Sequence, residues 1–200
     1  QRQMCIRDRA RAGIYASLGD GLKTGVTTSN DLWYPHPVGV TGLVDAEIEA
    51  ARELGIRFHP VRAYHSVTND IVPPEVVDTT EGVMADAERL VKKYHDPSRF
   101  SMCQVGIGPS IAQYETEEIV RATVDLAEKL DIMVHGHLAE SQHEVEYTIE
   151  HFGCRPVEWF RRHDMLGDRF YYAHCIHLND EEVEMMAKTN TGISTCPISN

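Results

Sequence analysis

The residues best suited to chemistry lie in the run Val134-His135-Gly136-His137-Leu138-Ala139-Glu140. On a strand, His135 and His137 point to one face, because side chains alternate with a period of two. Gly136 between them lets neighbouring backbone approach closely. Neutral imidazole suits a zinc or iron centre. Glu140 follows one short turn later, where a carboxylate can take a proton from a metal-bound water and deliver it to a leaving group. Taken alone, the pair reads more readily as two hydrogen-bonded core histidines beside a solvated glutamate.

A second run shifts that balance. Ala173-His174-Cys175-Ile176-His177-Leu178 ends the next strand-like stretch, so both histidine groups reach the same rim. His174 can orient a nucleophilic water or steady a developing oxyanion. An imidazole tied to a backbone carbonyl is an equal reading for His174 and the better one for His177. Gln104 and Tyr114 flank another strand-like run and can hydrogen-bond a heterocycle, with a structural role equally open. Gln104 and His177 are the candidate substrate contacts. His36, His59 and His65 follow early strands as lone histidines. His143 and His151 fall on a solvent-facing helix surface, and His95 sits at a helix end, where a cation suits the dipole. Cys175 and Cys196 read as small buried hydrophobes, since no base is legible beside them.

Such groups need elements to hold them. Apolar, β-rich runs at 25–29, 56–61, 101–107, 132–137, 170–175 and 192–196 alternate with segments of helical period. Val83, Met84, Ala87, Leu90, Val91 and Tyr94 form one helix face, and Ile119, Val120, Thr123, Leu126, Ala127 and Leu130 repeat the spacing. Shorter helices are expected over 44–54, 141–152 and 180–187, with Gly55 and Gly153 as C-caps, Pro156 opening a short helix and Asn179 as an N-cap. Strand then helix, repeated, predicts an α/β fold with parallel strands and crossover helices. No Gly-rich phosphate loop is present, and polar residues follow several strands, which favours a partial (β/α)8 barrel of about six consecutive units over an open sheet. The long connection from Tyr64 to Thr80, with Pro73-Pro74, is a candidate lid.

Composition sets outer limits. The chain has 200 residues, 19 basic and 31 acidic, for a net charge of -12. That balance argues against nucleic acid or an anionic membrane as partner. Five scattered cysteines without a Cys-x-x-Cys pair argue against a disulfide framework and for a cytoplasmic setting. The run 1–10 lacks the apolar core of a signal peptide and resembles translated adapter read-through, so it is set aside, with Cys5, as a non-native leader. Residues 11–200 then read as the central part of a longer barrel.

The order of Gly-Val-Thr-Thr-Ser (25–29), the stretch from Glu49 to Pro60, His135-Gly136-His137-Leu138-Ala139-Glu140, Ala173-His174-Cys175-Ile176-His177-Leu178 and Cys196-Pro197-Ile198-Ser199-Asn200 resembles the amidohydrolase superfamily. Within it the chain is similar to the chlorohydrolase and aminohydrolase group that includes 8-oxoguanine deaminase and adenosylhomocysteine deaminase. The resemblance implies one divalent metal, zinc or alternatively iron, with His137 as a ligand. It implies Glu140 as proton shuttle and His174 as the residue positioning water and substrate. It also implies a His-x-His pair and an aspartate outside this chain, so residues 1–200 alone are expected to bind metal poorly and to be inactive. Gly136 stands where close relatives often have threonine, and 106–111 lacks a Pro-Cys-Ser-Pro pattern, which leaves substrate contacts there open. The expected parent activity is hydrolytic deamination of a purine-like or other amino-heterocycle. Triazine dechlorination or dealkylamination and cyclic-amide opening are alternatives, and a non-catalytic barrel binding protein is the alternative from another class. The expected partner is a small heterocyclic substrate, with a homo-oligomeric parent left open.

Overall fold

Six strands, β1 (Thr28–Trp33), β2 (Arg57–Tyr64), β3 (Gly106–Pro109), β4 (Val134–Leu138), β5 (Phe170–His174) and β6 (Gly192–Ser194), lie side by side in chain order in a computed structural model. The structure describes residues 2–200, with side chains from Ile6 onward; the Cys5 side chain of the expected leader lies outside the described residues. Every neighbouring pair is parallel. Helices make the crossovers: α2 (Leu43–Leu54), α3 (Thr80–Tyr94), α4 (Glu117–Leu130), α5 (Gln142–Phe152) with α6 (Pro156–Arg162), and α7 (Asp180–Thr189). These are the repeated strand–helix units the periodicity predicts.

The sheet is curled into half a barrel. Strands β2 and β5 are three positions apart, about 14 Å on a flat sheet at roughly 4.8 Å per strand. Side chains standing perpendicular to a flat sheet do not close that gap, yet Nδ1 of His59 lies 2.8 Å from the Tyr171 hydroxyl. Asn30 of β1 also donates to that hydroxyl, at 3.1 Å. The inner face therefore converges, as it does in a closing barrel.

The helices bury the faces read from their spacing. Val83, Ala87, Leu90 and Tyr94 of α3 and Ile119, Val120 and Ala127 of α4 pack against the strands. Gly55 and Gly153 close α2 and α5 in left-handed backbone. Asn179 caps α7 in a reciprocal pair with Glu182.

Three differences have local causes. Helix α1 (Arg2–Lys23) precedes the sheet and buries Ile14 and Leu18 against Val44 and Ile48 of α2. The first strand starts three residues later than expected, because Gly25 and Val26 donate to Leu22 and Gly21 carbonyls and terminate α1. The run 101–107 meets β2 early only through a bridge from Cys103 to Phe58, and its strand proper begins at Gly106. Among the described residues no helix is long and apolar enough to cross a membrane.

The connection 65–79 lies over the strand ends and carries a short 3-10 turn, Pro74–Val76. Its far end is fastened to its start, since the Asp78 N–H donates to the His65 carbonyl at 2.8 Å. Buried Arg62 of β2 holds Asp78 and Asp86, each at 3.0 Å. The Val38 N–H, from the loop after β1, donates to the Glu75 carbonyl at 2.8 Å.

Candidate active site

Strands β3 and β4 approach closely because glycines face each other's backbone. A Cβ on Gly108 would lie 1.8 Å from the His135 carbonyl oxygen, so no side chain fits there. That contact sets the depth of the next residues. The His137 N–H donates to the Ser110 carbonyl at 3.0 Å, and ring Nδ1 lies 2.7 Å from the same oxygen. A carbonyl only accepts, so Nδ1 carries the proton and Nε2 is left as the lone pair. Burial holds the His137 ring below the usual imidazole range, against the opposing pull of the Ser110 bond and Glu140. A neutral ring with a free Nε2 is the form that ligates metal.

His135 sits two residues deeper. Its Nδ1 donates to the Tyr171 carbonyl at 2.9 Å, and its ring stacks on Tyr171 at 4.0 Å between centroids. Burial pushes its pKa down to about 4. The ordinary core reading describes this histidine.

His174 ends β5 opposite Leu138. Its ring stacks on His137 at 5.3 Å, its Nε2 lies 3.5 Å from Glu140 Oε1, and its Nδ1 lies 2.7 Å from Asn200 Oδ1. The backbone at this rim is strained. Ala139, His174 and Cys175 all have positive φ, at 48°, 69° and 57°. Non-glycine residues adopt that region at a cost of order 1–3 kcal/mol each, and such residues cluster at functional sites. The turn is locked by backbone: Cys175 donates to Leu138, and Ile176 and His177 both donate to the Ala139 carbonyl.

A cavity of about 680 Å³ opens beside these groups, walled by His137, Glu140, Tyr34, His65 and Tyr114 and roofed by Ile71, Val72, Pro73 and Val76. The rings meet edge to face: Tyr34 with His65 at 4.9 Å, Tyr34 with His137 at 5.8 Å and His65 with Tyr114 at 5.5 Å. His65 is pushed down to about 4 by burial, and its Nδ1 lies 2.7 Å from the Ser110 hydroxyl. A planar, polar-edged ring is the kind of guest such walls accept.

His137, Glu140 and His174 are thus brought together, as the two motifs predict. Gln104 is not. It precedes β3 at the opposite end of the strands, where its side-chain amide donates to the Ser98 carbonyl, because the strand begins at Gly106 instead of 101. His177 also lies outside the cavity wall, since the chain turns away after Cys175 and its carbonyl accepts from Arg155. Tyr34, Ser110 and Glu144 were missed by sequence reasoning. Tyr34 directly follows β1 and becomes legible once that strand is placed at 28–33. Glu144 carries a signal in Ser141-x-x-Glu144, the helix-capping pattern. Ser110 is marked by nothing but its place after a glycine-rich strand.

The donor set fits a metal in part. His137 offers one prepared Nε2, yet among the described residues no three His, Cys, Asp or Glu side chains converge to hold an ion.

Comparison with known proteins bears on the family and the fold. Residues 5–200 match the "Amidohydrolase family". The chain is 33% identical over 187 residues to 8-oxoguanine deaminase of Pseudomonas aeruginosa, covering 92% of this chain and 42% of that protein. It is 31% identical over 185 residues to hydroxydechloroatrazine ethylaminohydrolase of Pseudomonas sp., covering 90% and 38%. The zinc-complexed atrazine chlorohydrolase of Arthrobacter aurescens TC1 superimposes with a TM-score of 0.85 at 28% identity, over 96% of this chain and 42% of that one. The chain spans about two fifths of the length of these relatives.

Proposed function

This chain belongs to the amidohydrolase family, and from that premise we propose that the whole protein hydrolytically deaminates a purine-like or other amino-heterocycle, using one divalent metal, zinc or alternatively iron. The observation that carries the proposal is that His137 and Glu140 share the wall of one aromatic-lined cavity while His174 stands directly behind them, stacked on His137 and 3.5 Å from Glu140. His137 Nε2 supplies one ligand, and the remaining ligands come from residues beyond this set. The cation, when bound, supplies a water acidic enough to lose its proton near neutral pH. Glu140 takes that proton and passes it to the departing amine as water oxygen joins the ring carbon and the C–N bond breaks. His174 Nε2, beside Glu140, orients the attacking oxygen and steadies the charge that develops on it. Tyr34, His65 and Tyr114 hold the ring plane. The relatives named as deaminases of 8-oxoguanine and isoxanthopterin support a purine-like ring. The likeness to an atrazine chlorohydrolase supports a second reading, in which the same groups displace chloride or an alkylamine from a triazine. A cytoplasmic setting fits the described cysteines, all of which are free thiols.

The test is ammonia release from a panel of amino-heterocycles by the whole protein and its Glu140→Gln variant. The variant is expected to keep its metal and lose about 10²–10⁴-fold in turnover, the usual weight of a proton-transfer group. Unchanged turnover removes Glu140 from the reaction, and a protein that binds heterocycles without turnover is a binding barrel.

A further inference from the structure

Glu144 stands in the first turn of α5, wholly shielded from solvent, and the proposed reaction does not use it. Its Oε1 accepts the Ala139 N–H at 3.0 Å, and its Oε2 accepts the Glu140 N–H at 2.8 Å. Its own N–H donates to the hydroxyl of the N-cap, Ser141, at 3.2 Å. In an ordinary capping box the third-position glutamate returns to the N–H of the N-cap itself. Glu182 does this with Asn179 in α7. Glu144 instead reaches past Ser141 to the two residues before it, one of them the left-handed Ala139 and the other Glu140.

The peptide unit joining Ala139 to Glu140 is therefore held at both ends. Glu144 takes its N–H, while its carbonyl accepts from Ile176 and His177, the residues that follow His174 and Cys175. This clamp ties the root of Glu140 to the strand end that carries His174. It is not the cheapest way to cap a helix, since burial pushes the Glu144 carboxyl up to about 7 against the pull of both N–H groups. A solvated side chain would cap α5 without that desolvation.

We propose that Glu144 is a positioning residue for Glu140, fixing the 139–140 peptide so that the Glu140 carboxylate emerges beside His174 and His137. The inference rests on the reading of Glu140 as the proton carrier.

The experiment is a double-substitution cycle in the whole protein: Glu144→Ala, Glu144→Gln and Glu140→Gln, singly and combined, with kcat, KM and metal content measured on folded protein. Glu144→Ala is expected to lower kcat about 10²-fold, the penalty of a misplaced catalytic group, with KM changed less than about 3-fold and metal retained. Glu144→Gln, which still accepts one N–H, falls between it and the parent. In the Glu140→Gln background either Glu144 substitution is expected to change the residual rate by less than about 3-fold, because the group it positions is already gone. Equal losses in both backgrounds, or a folded Glu144→Gln protein with the parent kcat, overturn the inference. Where Glu144→Ala is too unstable to assay, the glutamine cycle decides. Parent-level turnover in Glu140→Gln alone removes Glu140 from the reaction, and with it the reading on which this inference rests, so the two failures are distinguishable.

Discussion

His135 and His137 share one face of β4, yet one stacks into the barrel interior and the other presents Nε2 to the cavity. The difference lies in the partner each ring meets along the barrel axis, Tyr171 below and the Ser110 carbonyl above. In the whole protein His137→Ala is expected to strip most of the bound zinc, read by elemental analysis, whereas His135→Ala should leave metal in place and cost stability. A full zinc complement in His137→Ala contradicts its role as ligand. Gly108→Ala is expected to destabilise the chain by about 1–3 kcal/mol or more, since the added methyl meets backbone that has no rotamer to change. A urea midpoint within error of the parent would show that β3 and β4 part more easily than their spacing implies. Sequence made His137, Glu140 and His174 legible because residue type and strand-end position coincide there. The same reasoning misplaced Gln104, where a five-residue error in the strand start moves a side chain to the other end of the barrel.

Helices were more legible than strands. A 3.6-residue period repeated over α3 and α4 leaves little freedom in placing them, whereas β3 and β6 are only four and three residues long. Helix α1 is hard to read from sequence because the first buried position among its described side chains, Ala10, falls within residues set aside as leader. Asn179→Ala is expected to cost about 1 kcal/mol through loss of the α7 cap, visible as a lower melting temperature. The roof of the cavity depends on Arg62, whose neutral replacement strands Asp78 without its partner, while Asp86 keeps Arg89 at 2.8 Å. Arg62→Met is expected to cost roughly 3–5 kcal/mol, the penalty of leaving one side of a buried pair uncompensated. Limited proteolysis should then cut within 65–79 sooner than in the parent. Equal cleavage rates would mean that the loop is held by its other contacts.

Across the whole molecule, acid groups are in excess, and one of them, Glu47, lies buried beside the half-buried Asp31. Burial raises Asp31 of β1 and Glu47 of α2, and for Glu47 the neighbouring Asp31 adds to the rise; one Glu47 oxygen has no hydrogen-bond partner. Raised carboxyls bind protons more tightly folded than unfolded. Their contribution therefore favours folding most below the ordinary carboxylate range and is lost as pH rises through the folded values. Glu47→Gln is expected to gain stability over the parent at pH 8 relative to pH 5, measured as the difference in urea midpoints. A difference independent of pH would show that the pair is not buried as a proton-sharing unit. The clasp of Asn30, His59 and Tyr171 across the barrel interior has a consequence in time. Its partners are 141 and 112 residues apart, so closing those loops is entropically costly and belongs after the folding transition state. Tyr171→Phe, which keeps the ring on His135 and removes the hydroxyl, should leave the refolding rate nearly unchanged and speed unfolding about 5-fold. The strands would then pair first and curl afterwards, with the clasp acting as a latch that slows escape from the native state.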